Sequence, residues 1–295
     1  MLLKLLHKRH GKLPLPIEFC LAYLATLGTS KKSAASFAEV ETYCTFIGYP
    51  RSGHSLIAAL LDAHPNIVMA HEMRAVKYFQ YGFRRNAIYY LLCQRSRIRG
   101  HSWERKSGYT YNVPNQWQGS FEKIRVIGNK NGSFTVSILA NMPNLLQKLQ
   151  NVVNAPIKLI HVVRNPFDNI TTIATKKAQR RNCEVEEADI QASIDLYFFW
   201  CESVMKVKTM AGAIDAEVLD IYHEDFIQDP KAQLNKICLW LGVEPSSNYL
   251  ADCATIVFPS PSKSRYKIQW KKSFKQQINN KIGLFPFLKG YTFDS

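Results

Sequence analysis

The first residues able to do chemistry are Gly48-Tyr49-Pro50-Arg51-Ser52-Gly53-His54-Ser55. Their spacing, G-x-x-x-x-G-x-S, outlines a loop whose backbone N–H groups and following helix N-terminus surround a phosphate. Two departures narrow the reading. A nucleotide triphosphatase or kinase needs a lysine where this chain has His54, because that ammonium bridges the β- and γ-phosphates. It also needs an acid after a second strand to hold Mg²⁺. Here the clearest strand pattern, Ile157 to Val163, ends in Arg164, the opposite charge. A phosphate loop without the lysine and the acid suits a metal-free anionic ligand, so a P-loop kinase is the weaker reading.

The elements that must carry these residues alternate between strand and helix patterns. Thr42–Tyr49 reads as a buried strand feeding the loop, and His54–Ala63 as the helix that follows it. Strands are expected at 67–69, 123–128, 157–163 and 217–222. Helices are expected at 83–99, 134–152 with a break at Pro143, from Phe167, at 184–210, and at 229–241 behind an Asp229 cap. This alternation predicts an α/β, P-loop-type three-layer fold, a central parallel sheet covered by helices on both faces. Residues 255–274, polar and basic with Pro259 and Pro261, read as a loop that closes over a site. Residues 1–40 read as a basic and apolar N-terminal helical segment, and 41–295 as a single domain.

The chain has 295 residues and a formal net charge of +15, with basic groups at Lys4 to Lys12, Arg95 to Arg99, Lys176 to Arg181 and Lys263 to Lys275. That surplus calls for an anionic partner, and its distribution suits a lined cleft better than a nucleic-acid-binding arm. Seven scattered cysteines with no CxxC pair indicate neither a disulfide framework nor a metal site, and a reducing cytoplasm is the default compartment. The apolar stretch 13–27 is interrupted by Pro14, Pro16 and Glu18. It is too short to span a bilayer, which takes about 20 apolar residues as a helix. A helix that packs on the domain or touches a membrane surface is the expectation.

The residues then resemble a known family. Phe46 to Gly53 with Leu61-Asp62-Ala63-His64-Pro65, His71-Glu72-Met73-Arg74, Asn129-Lys130, Val162 to Pro166, and His223-Glu224-Asp225-Phe226 are similar, in order, to PAPS-dependent sulfotransferases, and most to tyrosylprotein sulfotransferases. PAPS is 3′-phosphoadenosine 5′-phosphosulfate. The resemblance implies that Arg51, Ser52, Gly53, His54 and Ser55 bind the 5′-phosphosulfate, and that Arg164 and Thr172 bind the 3′-phosphate. It places His223 near the adenine, Glu72 as catalytic base and Lys130 as a cation on the transferring group. The loop residues Ser264 and Arg265 match loosely as further cofactor contacts.

The chemistry asks for such groups. Negative charge grows on the bridging oxygen of the leaving phosphate, for which Arg51 and Lys130 are the candidate cations. The acceptor must lose a proton, for which Glu72 is the candidate base and His71 its competitor. The plainer alternatives are a Glu72 paired with Arg74 and a Lys130 solvated in a polar turn. The acceptor is expected to be a small molecule bearing a hydroxyl or amine, with a protein tyrosine as the alternative. Residues 73–122 and 178–215 are expected to face it.

Overall fold

The computed structural model describes residues 14–27, 35–100 and 110–295. The basic run Lys4 to Lys12 lies outside the described residues. Five apolar runs form the sheet: β1 (Thr42–Ile47), β2 (Ile67–His71), β3 (Val126–Lys130), β4 (Ile157–Val163) and β5 (Glu217–Tyr222). They pair in the order β2-β3-β1-β4-β5, every pair parallel. The helices are α1 (Leu15–Thr26), α2 (His54–Asp62), α3 (Ala75–Gln80), α4 (Arg85–Gly100), α5 (Gly132–Asn141), α6 (Asn144–Val153), α7 (Pro166–Arg181), α8 (Glu187–Gly212), α9 (His223–Gln228), α10 (Pro230–Leu241), α11 (Ser247–Thr255) and α12 (Lys272–Ile282).

Because successive strand residues point to opposite faces, one strand feeds two cores. Tyr43, Ile47, Val68, Ala70, Leu159 and Val163 join the core under α4–α8 and α12. Their neighbours Cys44, Phe46, Ile67, Met69, Ile160 and Val162 join the core under α2, α10 and α11. The three-layer α/β architecture expected from the alternating pattern is therefore present.

Strand order places the site. The chain leaves β1 toward one side for β2 and β3 and returns to the other for β4 and β5, so β1 sits at the switch point where α/β sheets open a crevice. The loop after β1 is flanked by the end of β3 on one side and the end of β4 on the other.

Two boundaries differ from expectation in ways that matter. β3 starts at Val126 and runs on to Lys130, so Lys130 closes a buried strand instead of lying in a solvated turn. A short helix, α9, starts at His223 directly after β5; its six residues carry too little periodicity to be read beforehand. The break at Pro143 falls between α5 and α6 as expected.

Candidate active site

A cleft of about 600 Å³ opens at the C-terminal ends of the strands. It is lined by Arg51 and Gly53 from the β1–α2 loop, His54 and Ser55 from the first turn of α2, Glu72 after β2, and Arg164 with Thr172 and Lys176 from the end of β4 and from α7. His223 and Ile227 of α9, Tyr111, and the 258–262 loop close it. Its volume is that of an ordinary ligand site, about 300–1,000 Å³.

Backbone conformation marks two of these residues. Among the described residues, the non-glycine positions in the left-handed region are Arg51 (φ 72°), Glu72 (φ 50°), Asn115, Asn154, Asn182 and Asp215. Asn and Asp enter that region readily, whereas an arginine or a glutamate is held there at a cost of about 1–2 kcal/mol. The two that are neither Asn nor Asp face the same cleft. Such strain persists only where surrounding contacts impose it, and it concentrates at functional sites.

The contacts that impose it on Glu72 are visible. His71 pairs with Lys130 in the β2–β3 register, and the Glu72 N–H donates to the Lys130 carbonyl at 2.8 Å. Asn129 Oδ1 accepts from the Met73 N–H at 3.1 Å, and Asn131 Nδ2 donates to the Met73 carbonyl at 3.3 Å. The chain therefore turns sharply, and the Glu72 carboxylate comes back onto Lys130, whose Nζ donates to Glu72 Oε1 at 3.0 Å. Lys130 is 1% exposed and Glu72 58%, a buried cation beneath a carboxylate at the cleft wall. His71 stands behind, its Nε2 3.9 Å from Glu72 Oε1, and is not among the cleft-lining residues.

In the phosphate loop, Ser52 Oγ reaches the Tyr49 carbonyl at 3.2 Å and His54 Nδ1 at 3.1 Å. The Ser52 hydroxyl is thus turned into the loop and not toward the cleft. Gly53 adopts φ 100°, and a Cβ there would lie 2.5 Å from His223 Nδ1. Gly53→Ala is expected to destabilise the fold by about 1–3 kcal/mol through backbone strain and displacement of His223. Gly212→Ala is the control: a Cβ there meets nothing within 4 Å, and the exchange should stabilise by about 0.5–1 kcal/mol. Urea unfolding of both variants reads the contrast.

Arg164 spans the other wall. Its Nη1 donates to the Arg51 carbonyl at 3.0 Å, and its Nη2 to the Ser262 carbonyl at 2.7 Å and Ser264 Oγ at 3.2 Å. One guanidinium thereby ties the phosphate loop to the 260–264 loop. Burial lowers its pKa from the usual arginine value, so an anion in the cleft would relieve a desolvated charge. The structure brings Ser264 to Arg164, but it does not bring Arg265 to the cleft. That side chain is buried against Asp168, with Nε to Oδ1 at 3.1 Å and Nη2 to Oδ2 at 2.8 Å, and Nη1 donates to the Phe293 and Ser295 carbonyls. Arg265 holds the C-terminal segment; Ser260, Pro261 and Ser262 line the cleft in its place.

A polar cluster lies beneath the loop and had no sequence signal. His161 Nδ1 is 2.8 Å from Asp220 Oδ1, and Lys208 Nζ donates to both Asp220 oxygens at 2.6 Å. The His161 ring lies against Gly48, where a Cβ would be 3.0 Å from Cδ2. Burial lowers the His161 and His64 pKa values. Burial, then the Arg164 charge, lowers that of His223 to about 3.

All three folded pKa values lie below the usual one, so the unfolded chain binds more protons and stability falls as pH drops below about 6.5. For His223 the loss continues down to about 3. Between pH 6.5 and 5 it reaches up to about 2 kcal/mol for that residue. His223→Asn should flatten the stability–pH curve measured by urea unfolding across that window; an unchanged slope would remove His223 from it.

Residues 45–247, more than half of the chain, match the model of the sulfotransferase family. This chain belongs to the sulfotransferase family. Solved structures similar to this sulfotransferase include the sulfotransferase domain from the curacin biosynthetic pathway, at 15% identity over 83% of this chain and 98% of that one, TM-score 0.46. Mouse sulfotransferase SULT7A1 complexed with PAP is 17% identical over 83% and 74%, TM-score 0.41. Sulfotransferase STF9 from Mycobacterium avium is 14% identical over 88% and 83%, TM-score 0.45. No curated protein matches the chain.

Within this sulfotransferase, sequence reasoning did not single out Tyr111, Lys176, Ile227 and Phe258, although Tyr111 lies in the stretch 73–122 expected to face the acceptor and Phe258 in the loop 255–274 expected to close over the site. Lys176 had a trace: it follows Thr172 by four residues on one helix face. The expected acceptor-facing stretch 178–215 contributes nothing to the cleft lining; its Ile190, Ile194, Tyr197 and Phe198 pack into the core, the inward face that their spacing indicates.

Proposed function

We propose that this sulfotransferase moves a sulfuryl group from PAPS to a hydroxyl or amine of a small-molecule acceptor. The observation that carries the proposal is the Glu72–Lys130 pair at the wall of a cleft that also holds the phosphate loop and Arg164. The cleft residues fit the donor. Arg51, Arg164 and Lys176 outnumber the single carboxylate of Glu72, which suits a ligand with two phosphates and a sulfate. His223 Nδ1 is buried without a hydrogen-bond partner, a polar atom that a ligand in the cleft could satisfy.

Bound there, PAPS would supply the electrophilic sulfur and a phosphate leaving group. The residues of the chain do the rest. Arg51, Ser55 and the α2 N-terminus would hold the 5′ end, and the same positive groups would stabilise charge on the leaving phosphate. Arg164 and Thr172 would hold the 3′-phosphate. Glu72 would take the acceptor's proton, its carboxylate aimed by Lys130. Protonation of Glu72 weakens its grip on the Lys130 ammonium, so that cation is released as negative charge grows nearby. His54 and Ser52 shape the loop, and His71 backs Glu72. The cytoplasm is the compartment in which we place this reaction.

Incubation with labelled PAPS and a panel of phenols, alcohols and amines in excess EDTA tests the reading. Label appearing on an acceptor supports it. Transfer that requires Mg²⁺ and a nucleoside triphosphate would sink it.

A further inference from the structure

Helix α1 buries one face and leaves the other bare. Glu18, Phe19, Ala22 and Thr26 turn inward. The Phe19 ring packs 4.9 Å from Tyr78, 4.4 Å from Tyr81 and 6.1 Å from Phe83. On the opposite face Ile17 is 49% exposed, Tyr23 57%, Leu24 46% and Leu27 64%, with Cys20 exposed among them. Positions 17, 20, 24 and 27 recur at helical spacing, so these side chains form one stripe and not a scatter.

Charge decides what that stripe faces. Within residues 1–38 the only acidic residue is Glu18. It is fully buried, with Oε1 3.3 Å from the Tyr78 hydroxyl and Oε2 3.6 Å from Arg74 Nη1. The same stretch carries Lys4, Lys8, Arg9, Lys12, Lys31 and Lys32. An apolar stripe flanked in sequence by cations, its one carboxylate turned away, complements an anionic lipid surface. A second copy of this chain is a poorer match, because two molecules of net charge +15 repel one another. The 12 described residues of α1 are fewer than the roughly 20 that a spanning helix needs, and no described helix is long and apolar enough to cross a membrane.

We propose that the outer face of α1 docks the protein on an anionic membrane surface, with Ile17, Leu24 and Leu27 seated at the acyl boundary. The stripe supplies the apolar area and the basic residues supply the preference for anionic headgroups. This docking is independent of the donor and acceptor.

Co-sedimentation of the full chain with phosphatidylcholine vesicles, with and without phosphatidylserine, tests it at low salt. Binding is expected only with phosphatidylserine. Substituting Ile17→Ser, Leu24→Ser and Leu27→Ser together should weaken it by about 10²–10³-fold. A Tyr23→Trp variant should show a blue-shifted emission only on adding the anionic vesicles. The proposal is overturned if the protein stays in the supernatant, if the triple variant binds as well, or if Tyr23→Trp shows no shift. It is also overturned if sedimentation velocity finds a dimer that the triple substitution dissolves, since the stripe would then be covered by a second copy.

Discussion

Replacing Glu72 with glutamine is expected to lower turnover by about 10²–10⁴-fold while leaving the affinity for adenosine 3′,5′-bisphosphate nearly unchanged. Glutamine keeps the size of the side chain and an oxygen to accept from Lys130 Nζ, which now lies 3.0 Å from the carboxylate. It removes the group able to take a proton. The loss should shrink for acceptors already ionised at assay pH, because they need no base. Lys130→Ala should instead slow every acceptor to a similar degree, since it withdraws a cation from the one leaving group they all share. If Glu72→Gln turns over normally while His71→Ala or His54→Ala is dead, the base is a histidine and the role given to Glu72 is wrong. Geometry favours Glu72 over His71, which does not line the cleft.

Arg164→Ala should abolish the discrimination between adenosine 3′,5′-bisphosphate and 5′-AMP. The wild-type protein is expected to be stabilised far more by the 3′,5′-bisphosphate, because Arg164 lines the cleft where the phosphate loop and the 260–264 loop meet and offers a second cation beside Arg51. A charge-assisted pair with phosphate at a buried arginine is worth about 1.5–3 kcal/mol, or about 10–10²-fold in affinity. Removing Arg164 also releases the Arg51 and Ser262 carbonyls it now bridges, so the 258–262 loop should loosen as well. Thermal shifts with the two nucleotides separate these effects. General loosening lowers both responses in proportion, whereas loss of a 3′-phosphate site makes them equal. Equal shifts in the wild-type protein would remove that site from the account.

How much of this was legible in the sequence follows from what each residue needs from its surroundings. β4 and β5 have the ends expected of them, because their apolar runs stop at Arg164 and at the α9 start. β3 was placed too early because its last residues, Asn129 and Lys130, are polar. They are buried for the sake of the site, and composition cannot distinguish that from a turn. The left-handed conformations of Arg51 and Glu72 leave no mark in residue type, since neither residue favours them. Arg265, a loose match to the family's cofactor loop, is held away from the cleft by Asp168, a partner 97 positions away that its sequence neighbours do not announce. The cleft residues Tyr111 and Phe258 come from irregular segments with no periodicity to follow.

The central claim is that the cleft holds a doubly phosphorylated adenosine without metal. Calorimetric titration in excess EDTA, with MgATP as a competitor in a parallel magnesium buffer, tests it most directly. The account predicts one site for adenosine 3′,5′-bisphosphate in EDTA that MgATP does not displace. A protein that binds MgATP more tightly, and binds the 3′,5′-bisphosphate no better than 5′-AMP, would contradict it.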